Sequence, residues 1–276
     1  MKKFDGKIVY VTGGSSGIGL ETAKLFSSLG ADILIIARNR EKLEKAAQEI
    51  SKARKNSSQR VMTVSADAGD DDDVRKKMTA AVSGFGAPDI LINSAGINKY
   101  ANYFGNISGK EFDEVMRTNC SGVRNVTAAL LGPLKEKKGQ VVILSSAAGL
   151  FGMFGYTAYG ASKAALIGFA ESLGYELRPL GMSVTVVCPP EVDTPMNLDE
   201  AKTLPAEGRA VKSMGGFLMP DYVARVIVKA VAKKKFFVIP GFSTRFLYLL
   251  HRYSNGRLSR TVTDAVIRKT IKKAGR

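Results

Sequence analysis

Metal ligands and disulfide-forming residues are the first things this chain lacks. Its 276 residues include two cysteines, Cys120 and Cys188, and one histidine, His251. Two thiols cannot build a disulfide framework, and both stand in apolar stretches, so buried structural thiols in a reducing compartment are expected. A single histidine, with no clustered cysteine or paired-carboxylate motif, offers no metal site. No run of about eighteen apolar residues occurs, so no transmembrane helix is predicted. Met1-Lys2-Lys3 leads straight into a strand pattern, leaving no room for a signal peptide. The expectation is a cytoplasmic protein, soluble or held on the cytoplasmic face of a membrane. There is no low-complexity tract, and hydrophobic residues make up 45% of the chain, which suits one large globular core.

Acids are scarce in one region only. The formal charge is +16, yet residues 229–276 carry thirteen Lys/Arg against a single acid, Asp264. That segment holds +12, leaving +4 for everything before it. Within it Phe242, Phe246, Leu247, Leu249, Leu250 and Tyr253 recur at helical spacing beside Arg245, Arg252 and Arg257. Leu258, Val262, Val266 and Ile271 follow among Arg260, Arg268, Lys269, Lys272 and Lys273. Basic amphipathic helices of this kind can lie on an anionic bilayer. They can equally dock on the body with the basic face in water. A third reading, a nucleic-acid-binding tail on a silent fold, has few aromatics to support base stacking, so no nucleic acid is expected as a partner.

The body alternates strand and helix patterns. Ile8-Val9-Tyr10-Val11 is a short apolar, β-rich run, and Thr12-Gly13-Gly14-Ser15-Ser16-Gly17-Ile18-Gly19 follows it directly into a helical pattern. Strand, glycine turn and helix N-terminus together make a seat for a pyrophosphate, because close backbone approach, unpaired amides and the helix dipole all favour the anion. Asp32 to Ala37 reads as the second strand, with Arg38 immediately after it. A carboxylate at that strand end would hold a ribose 2′-hydroxyl and repel a 2′-phosphate. Here a cation stands beside it, which favours NADPH through charge-assisted hydrogen bonds; a solvated arginine opening the next helix is the plainer reading. Residues 70–73, all aspartate, suit a helix N-terminus.

Tyr159 and Lys163 stand four apart, so on a helix they share a face, and Ser146 lies thirteen residues before the tyrosine. An ammonium beside a phenol lowers its pKa and makes it a usable proton donor or acceptor. By itself that spacing also describes a solvated helix face.

Taken in order, the Thr-Gly-x-x-x-Gly-x-Gly loop, Asn93-Ser94-Ala95-Gly96, Asn119, Ser146, and Tyr159-x-x-x-Lys163 resemble the short-chain dehydrogenase/reductase family over about residues 5–240. The resemblance implies an α/β fold: a single-domain, Rossmann-type doubly wound parallel sheet of about seven strands with helices on both faces. It divides the chain into a dinucleotide-binding domain, 1–240, and a basic amphipathic extension, 241–276. It implies catalysis by Asn119, Ser146, Tyr159 and Lys163, with Asn119 at a helix kink holding a water of the proton relay. It places the cofactor against Gly13, Ser15, Ser16, Gly17, Ile18, Gly19, Arg38, Asp67, Ala68, Asn93, Ala95, Gly96, Tyr159, Lys163, Pro189, Val192 and Thr194. In that set Asp67 accepts from the adenine, and Asn93 either contacts the cofactor or braces strands. Pro190 stands where the family has glycine, which removes a backbone donor. Residues 196–219 fall where the family carries a loop-rich lid. The small residues after Tyr159 fit either core packing or the helix interface of a homodimer or homotetramer.

Within the family, Leu150 to Tyr159 and Pro189-Pro190-Glu191-Val192-Asp193-Thr194-Pro195 look like the branch that reduces the 3-ketone of long-chain sphingoid bases with NADPH. The expected partner is accordingly a lipid-like ketone. A β-ketoacyl-thioester reductase and a hydroxysteroid or other lipid-alcohol dehydrogenase are the alternatives, since they use the same catalytic set.

Overall fold

The structure, a computed structural model, describes residues 4–273. Seven strands form one parallel sheet: β1 (Ile8–Thr12), β2 (Asp32–Ala37), β3 (Val61–Ser65), β4 (Ile90–Asn93), β5 (Gln140–Leu144), β6 (Ser183–Val187) and β9 (Phe237–Val238), ordered β3-β2-β1-β4-β5-β6-β9. Between β6 and β9 lies a separate two-stranded ribbon, β7 (Glu191–Val192) with β8 (Phe217–Leu218). Period-two alternation sends neighbouring residues of each sheet strand to opposite faces, and each face has its own helical cover.

Tyr10, Leu34, Ile36, Leu91, Val141 and Ile143 pack under α3 (Asp71–Phe85), α5 (Gly122–Glu136) and α6 (Thr157–Leu177). Val9, Val11, Ile33, Ile35, Ile92 and Val142 pack under α1 (Gly17–Ser28), α2 (Arg40–Lys52) and α9 (Pro220–Ala232). The expected doubly wound sheet is therefore present, and the strand order reverses between β1 and β4. That switch point opens a crevice at the carboxyl ends of the strands. Thr12 braces it, its hydroxyl accepting from the amides of Ser94 and Ala95, each at 3.1 Å.

Helix ends follow their sequence signals. Asn39 caps α2 through the Lys42 amide at 2.8 Å, and Asp70 caps α3 with Asp71, Asp72 and Asp73 in the first turn. Ser108 and Glu111 close a capping box at the start of α4 (Gly109–Met116). A π turn over Arg117–Ser121 joins α4 to α5 and supplies the kink expected at Asn119.

The expectation of a loop-rich lid needs correction. Residues 196–219 fold largely as helix, with α7 (Pro195–Glu200) and α8 (Ala206–Lys212) over the crevice. Thr194 followed by Pro195 is a helix-start pattern, proline occupying the first turn where its missing amide costs nothing.

The tail forms two further helices, α10 (Phe242–Tyr253) and α11 (Arg257–Lys273), and both lie against the lid rather than apart from the body. Tyr248 meets Phe237 with ring centroids 5.6 Å apart, His251 meets Phe151 at 5.9 Å, and the Thr244 hydroxyl donates to the Gly215 carbonyl at 2.7 Å. The outer side keeps Phe242 and Tyr253 85% and 84% exposed, with Phe246 and Leu258 also in water. The docked reading of the tail holds for its inner face, and the outer face stays apolar and basic in water. Among the described residues no helix is long and apolar enough to cross a membrane.

Candidate active site

One cavity of about 520 Å³ runs along the crevice from the glycine loop to the lid. At one end Gly13, Ser15, Ser16, Gly17 and Ile18 line it. Gly13 has φ +66°, and a Cβ there would stand 2.8 Å from the Ala95 amide nitrogen, so only glycine lets the loop pass β4. The side chain of Ser16, at the α1 N-cap, makes no capping bond, and the first turn of α1 holds no acid. The helix thus offers the amides and positive dipole end that suit a diphosphate. Farther out, Ala37, Arg38, Asn39, Lys42, Asp67 and Ala68 line the same wall. The Asp67 carboxylate accepts from the Gly69 amide at 3.0 Å and pairs with Arg117 at 3.3 Å. Pro189, Val192, Thr194, Ala95 and Gly96 complete the inner stretch. The shape and donor set fit an extended dinucleotide.

Three of the expected residues do not line the cleft. Gly19 turns toward the glycine loop itself, where a Cβ would come within 2.3 Å of the Gly13 carbonyl oxygen. Asn93 is buried and donates to the Thr127 hydroxyl at 3.1 Å, so its side chain braces β4 against α5 rather than facing the cleft. The buried Asn119 side chain accepts from the Ile97 amide at 2.7 Å and donates to the Ile97 carbonyl and the Ser162 hydroxyl. Its amide nevertheless lies close to Lys163: a Cβ on Gly96 would be 3.2 Å from Asn119 Oδ1 and 3.4 Å from Lys163 Nζ.

Ser146, Tyr159 and Lys163 meet at the inner end. Ser146 follows β5, and the other two lie in the first turns of α6, one helical turn apart. The Ser145 hydroxyl donates to the Lys163 carbonyl at 2.7 Å, which fastens α6 to the end of β5. Lys163 is buried; its ammonium donates to the Leu144 carbonyl at 2.8 Å and stands 5.6 Å from the centre of the Tyr159 ring. Burial pulls its pKa down to about 8. Tyr159 is pushed the other way, up to about 12, by desolvation, with the hydrogen-bonded Ser146 hydroxyl opposing and the Glu200 carboxylate adding to the rise. The expected lowering of the phenol by Lys163 is not found: burial dominates, and the tyrosine holds its proton at neutral pH.

Sequence reasoning missed a group on the lid side. Tyr156, Asn98, Glu191, Asn197, Glu200 and Lys212 also line the cavity, and Leu247, Leu250, Val262 and Thr263 of the tail close its outer edge. Tyr156 and Glu191 fall inside stretches already singled out, but nothing in the sequence joins them to the others, because the six come from five separate stretches that only the fold brings together.

Residues 7–204 match the short chain dehydrogenase family. The chain belongs to that family. Among curated relatives, it is 37% identical over 236 residues to the 3-dehydrosphinganine reductase of Danio rerio, covering 85% of this chain and 71% of that one. It is 39% identical over 233 residues to the 3-ketodihydrosphingosine reductase of Bos taurus, covering 84% and 70% of the two chains. The 3-oxoacyl-acyl-carrier-protein reductase of Thermotoga maritima is 31% identical, with 82% and 90% covered. Among solved structures, levodione reductase superposes with a TM-score of 0.79 at 26% identity over 86% of this chain and 97% of that chain.

Proposed function

We propose that this enzyme is an NADPH-dependent reductase of a long-chain amino ketone of the 3-ketodihydrosphingosine type. The observation that carries the reaction is that Tyr159, Ser146 and Lys163 line one end of a single cleft, with the phenol protonated at neutral pH and so able to give its proton to a more basic alkoxide oxygen. A nicotinamide cofactor bound along the cleft would supply the hydride. Ser146 and Tyr159 donate hydrogen bonds to the substrate carbonyl oxygen, where preorganised donors count most as negative charge grows. Tyr159 then delivers its proton to that oxygen. Lys163, with a pKa near 8, is poised to return a proton to the phenolate, and Asn119 sits beside it to order a relay water.

The substrate class is supported by the sphingoid reductases among the relatives and by the apolar outer edge built from Leu247, Leu250 and Val262. NADPH is supported by Arg38 and Lys42 at the end where a 2′-phosphate would lie. In this reading Gly13, Ser15, Ser16, Gly17 and Ile18 hold the diphosphate and Asp67 and Ala68 flank the adenine, while Pro189, Val192 and Thr194 hold the nicotinamide. The exposed small face of α6, Ala161, Ala164, Ala165 and Gly168, is the surface for a homodimer or homotetramer. The outer face of the tail rests on the cytoplasmic side of a membrane, near the source of a lipid substrate.

The test is NADPH oxidation with 3-ketodihydrosphingosine beside a β-ketoacyl thioester, with Tyr159→Phe as the blank. Turnover of the sphingoid ketone, lost in the variant, is expected. Turnover of the thioester alone would move the enzyme to fatty-acyl reduction and overturn the proposed substrate.

A further inference from the structure

The lid places a charged cluster beside the proton donor that the reaction scheme does not use. Glu200, at the end of α7, is 6% exposed, and Tyr156 beside it is 5% exposed. Lys212, at the end of α8, reaches Glu200 at 2.6 Å and Glu191 at 3.2 Å. Asn98 donates to the second Glu200 oxygen at 2.9 Å, and Asn197 donates to Glu191 at 2.9 Å while accepting from Lys212. The Tyr156 hydroxyl donates to Glu200, and its ring lies edge-on to that of Tyr159 with centroids 5.6 Å apart. The cluster thus runs from the lid to the reacting position.

The charges do not cancel. Two carboxylates share one ammonium, and among the described residues no other ion pair engages either acid. Glu191 keeps part of its side chain in water, but Glu200 is buried, and a surplus negative charge there is costly unless a cation arrives to balance it. Glu200 and Glu191 both face the cavity, and a carboxylate has about four acceptor sites, of which Glu200 spends three. Glu200 is joined to the reacting position through Tyr156, whose hydroxyl donates to it and whose ring lies against that of Tyr159.

We infer that Glu200, with Glu191 and Lys212, is the specificity site for a cationic amine on the carbon beside the substrate carbonyl. The inference rests on the proposed amino-ketone substrate and deepens it. A neutral keto lipid would leave the acids uncompensated, so the site discriminates against it as well as favouring the amine. Lys212 keeps the two acids from repelling each other and ties the lid helices together before substrate enters.

The experiment compares kcat/KM for 3-ketodihydrosphingosine and for the same ketone without its amine, in the wild type, Glu200→Gln and Glu191→Gln. Each variant brings the cluster to neutrality with nearly unchanged shape, and NADPH binding followed by fluorescence checks that each has folded. The wild type should prefer the amine, and the preference should fall at least tenfold in a folded variant, chiefly through KM. Equal losses for both ketones, or no preference in the wild type, would overturn the amine site while leaving the reductase reading standing. A change confined to NADP affinity would overturn it too, by assigning the acids to the charged nicotinamide ring. Turnover of a β-ketoacyl thioester with neither sphingoid ketone would overturn the substrate reading and this inference together.

Discussion

Replacing Lys163 by methionine should make the protein more stable and inactive at once. The ammonium is 4% exposed, bonded to a single carbonyl, and depressed from 10.5 to about 8 by burial. A shift of that size corresponds to about 3 kcal/mol of differential stabilisation between its two protonation states. The sign follows from proton binding: between pH 8 and 10.5 the unfolded chain holds a proton at this position that the folded chain has released, so stability rises with pH across that window. Below it the penalty is fully present; above it the penalty is gone. Lys163→Met should therefore exceed the wild type in urea denaturation of the cofactor-free protein by about 1–3 kcal/mol at pH 7, the lower end allowing for the lost carbonyl bond. The gap should close by about pH 10.5, and reductase activity should be lost at every pH. A variant less stable at pH 7, or a gap that does not change with pH, would refute the account of Lys163 as a charge held in place at a cost to the fold.

Three other outcomes are expected. Arg38→Ala should raise the KM for NADPH roughly tenfold to a hundredfold, the worth of a charge-assisted contact, and leave that for NADH nearly unchanged; steady-state kinetics with both cofactors decide it. Gly19→Ala, whose Cβ would fall 2.3 Å from the Gly13 carbonyl oxygen, should cost about 1–3 kcal/mol and lower Tm by roughly 2–10 °C in a thermal scan. Replacing Phe242 and Phe246 together by serine should cut binding to vesicles rich in anionic phospholipid by about tenfold or more, since both rings are mostly in water and available to insert. A sedimentation assay at two salt concentrations reads that loss, and unchanged binding would remove the membrane role of the outer face.

What was legible in the sequence was local or periodic. The glycine loop is one continuous stretch whose backbone demands are met wherever a strand feeds a helix, so its place at the crevice followed directly. Tyr159 and Lys163 lie one helical turn apart, and the helix alone brings them to one side. Ser146 required a second element, and its spacing from the tyrosine served only through a family resemblance. The double winding of the sheet was implied by the family resemblance, and the inward residues of its strands divide between two cores according to strand parity.

Tertiary structure decided the electrostatics. An i,i+4 ammonium was expected to lower the phenol of Tyr159, but desolvation sets its direction instead, and desolvation is a property of everything packed around it. It also decided that Asn93 braces instead of touching the cleft, because Thr127 arrives opposite it from another helix. The charged cluster of the lid has no shared signature: Glu191, Glu200 and Lys212 meet only when a ribbon and two short helices fold over Tyr156. The tail could be read as docked or as membrane-facing because a helix pattern fixes which residues share a face, whereas only the surface it meets fixes which face is covered.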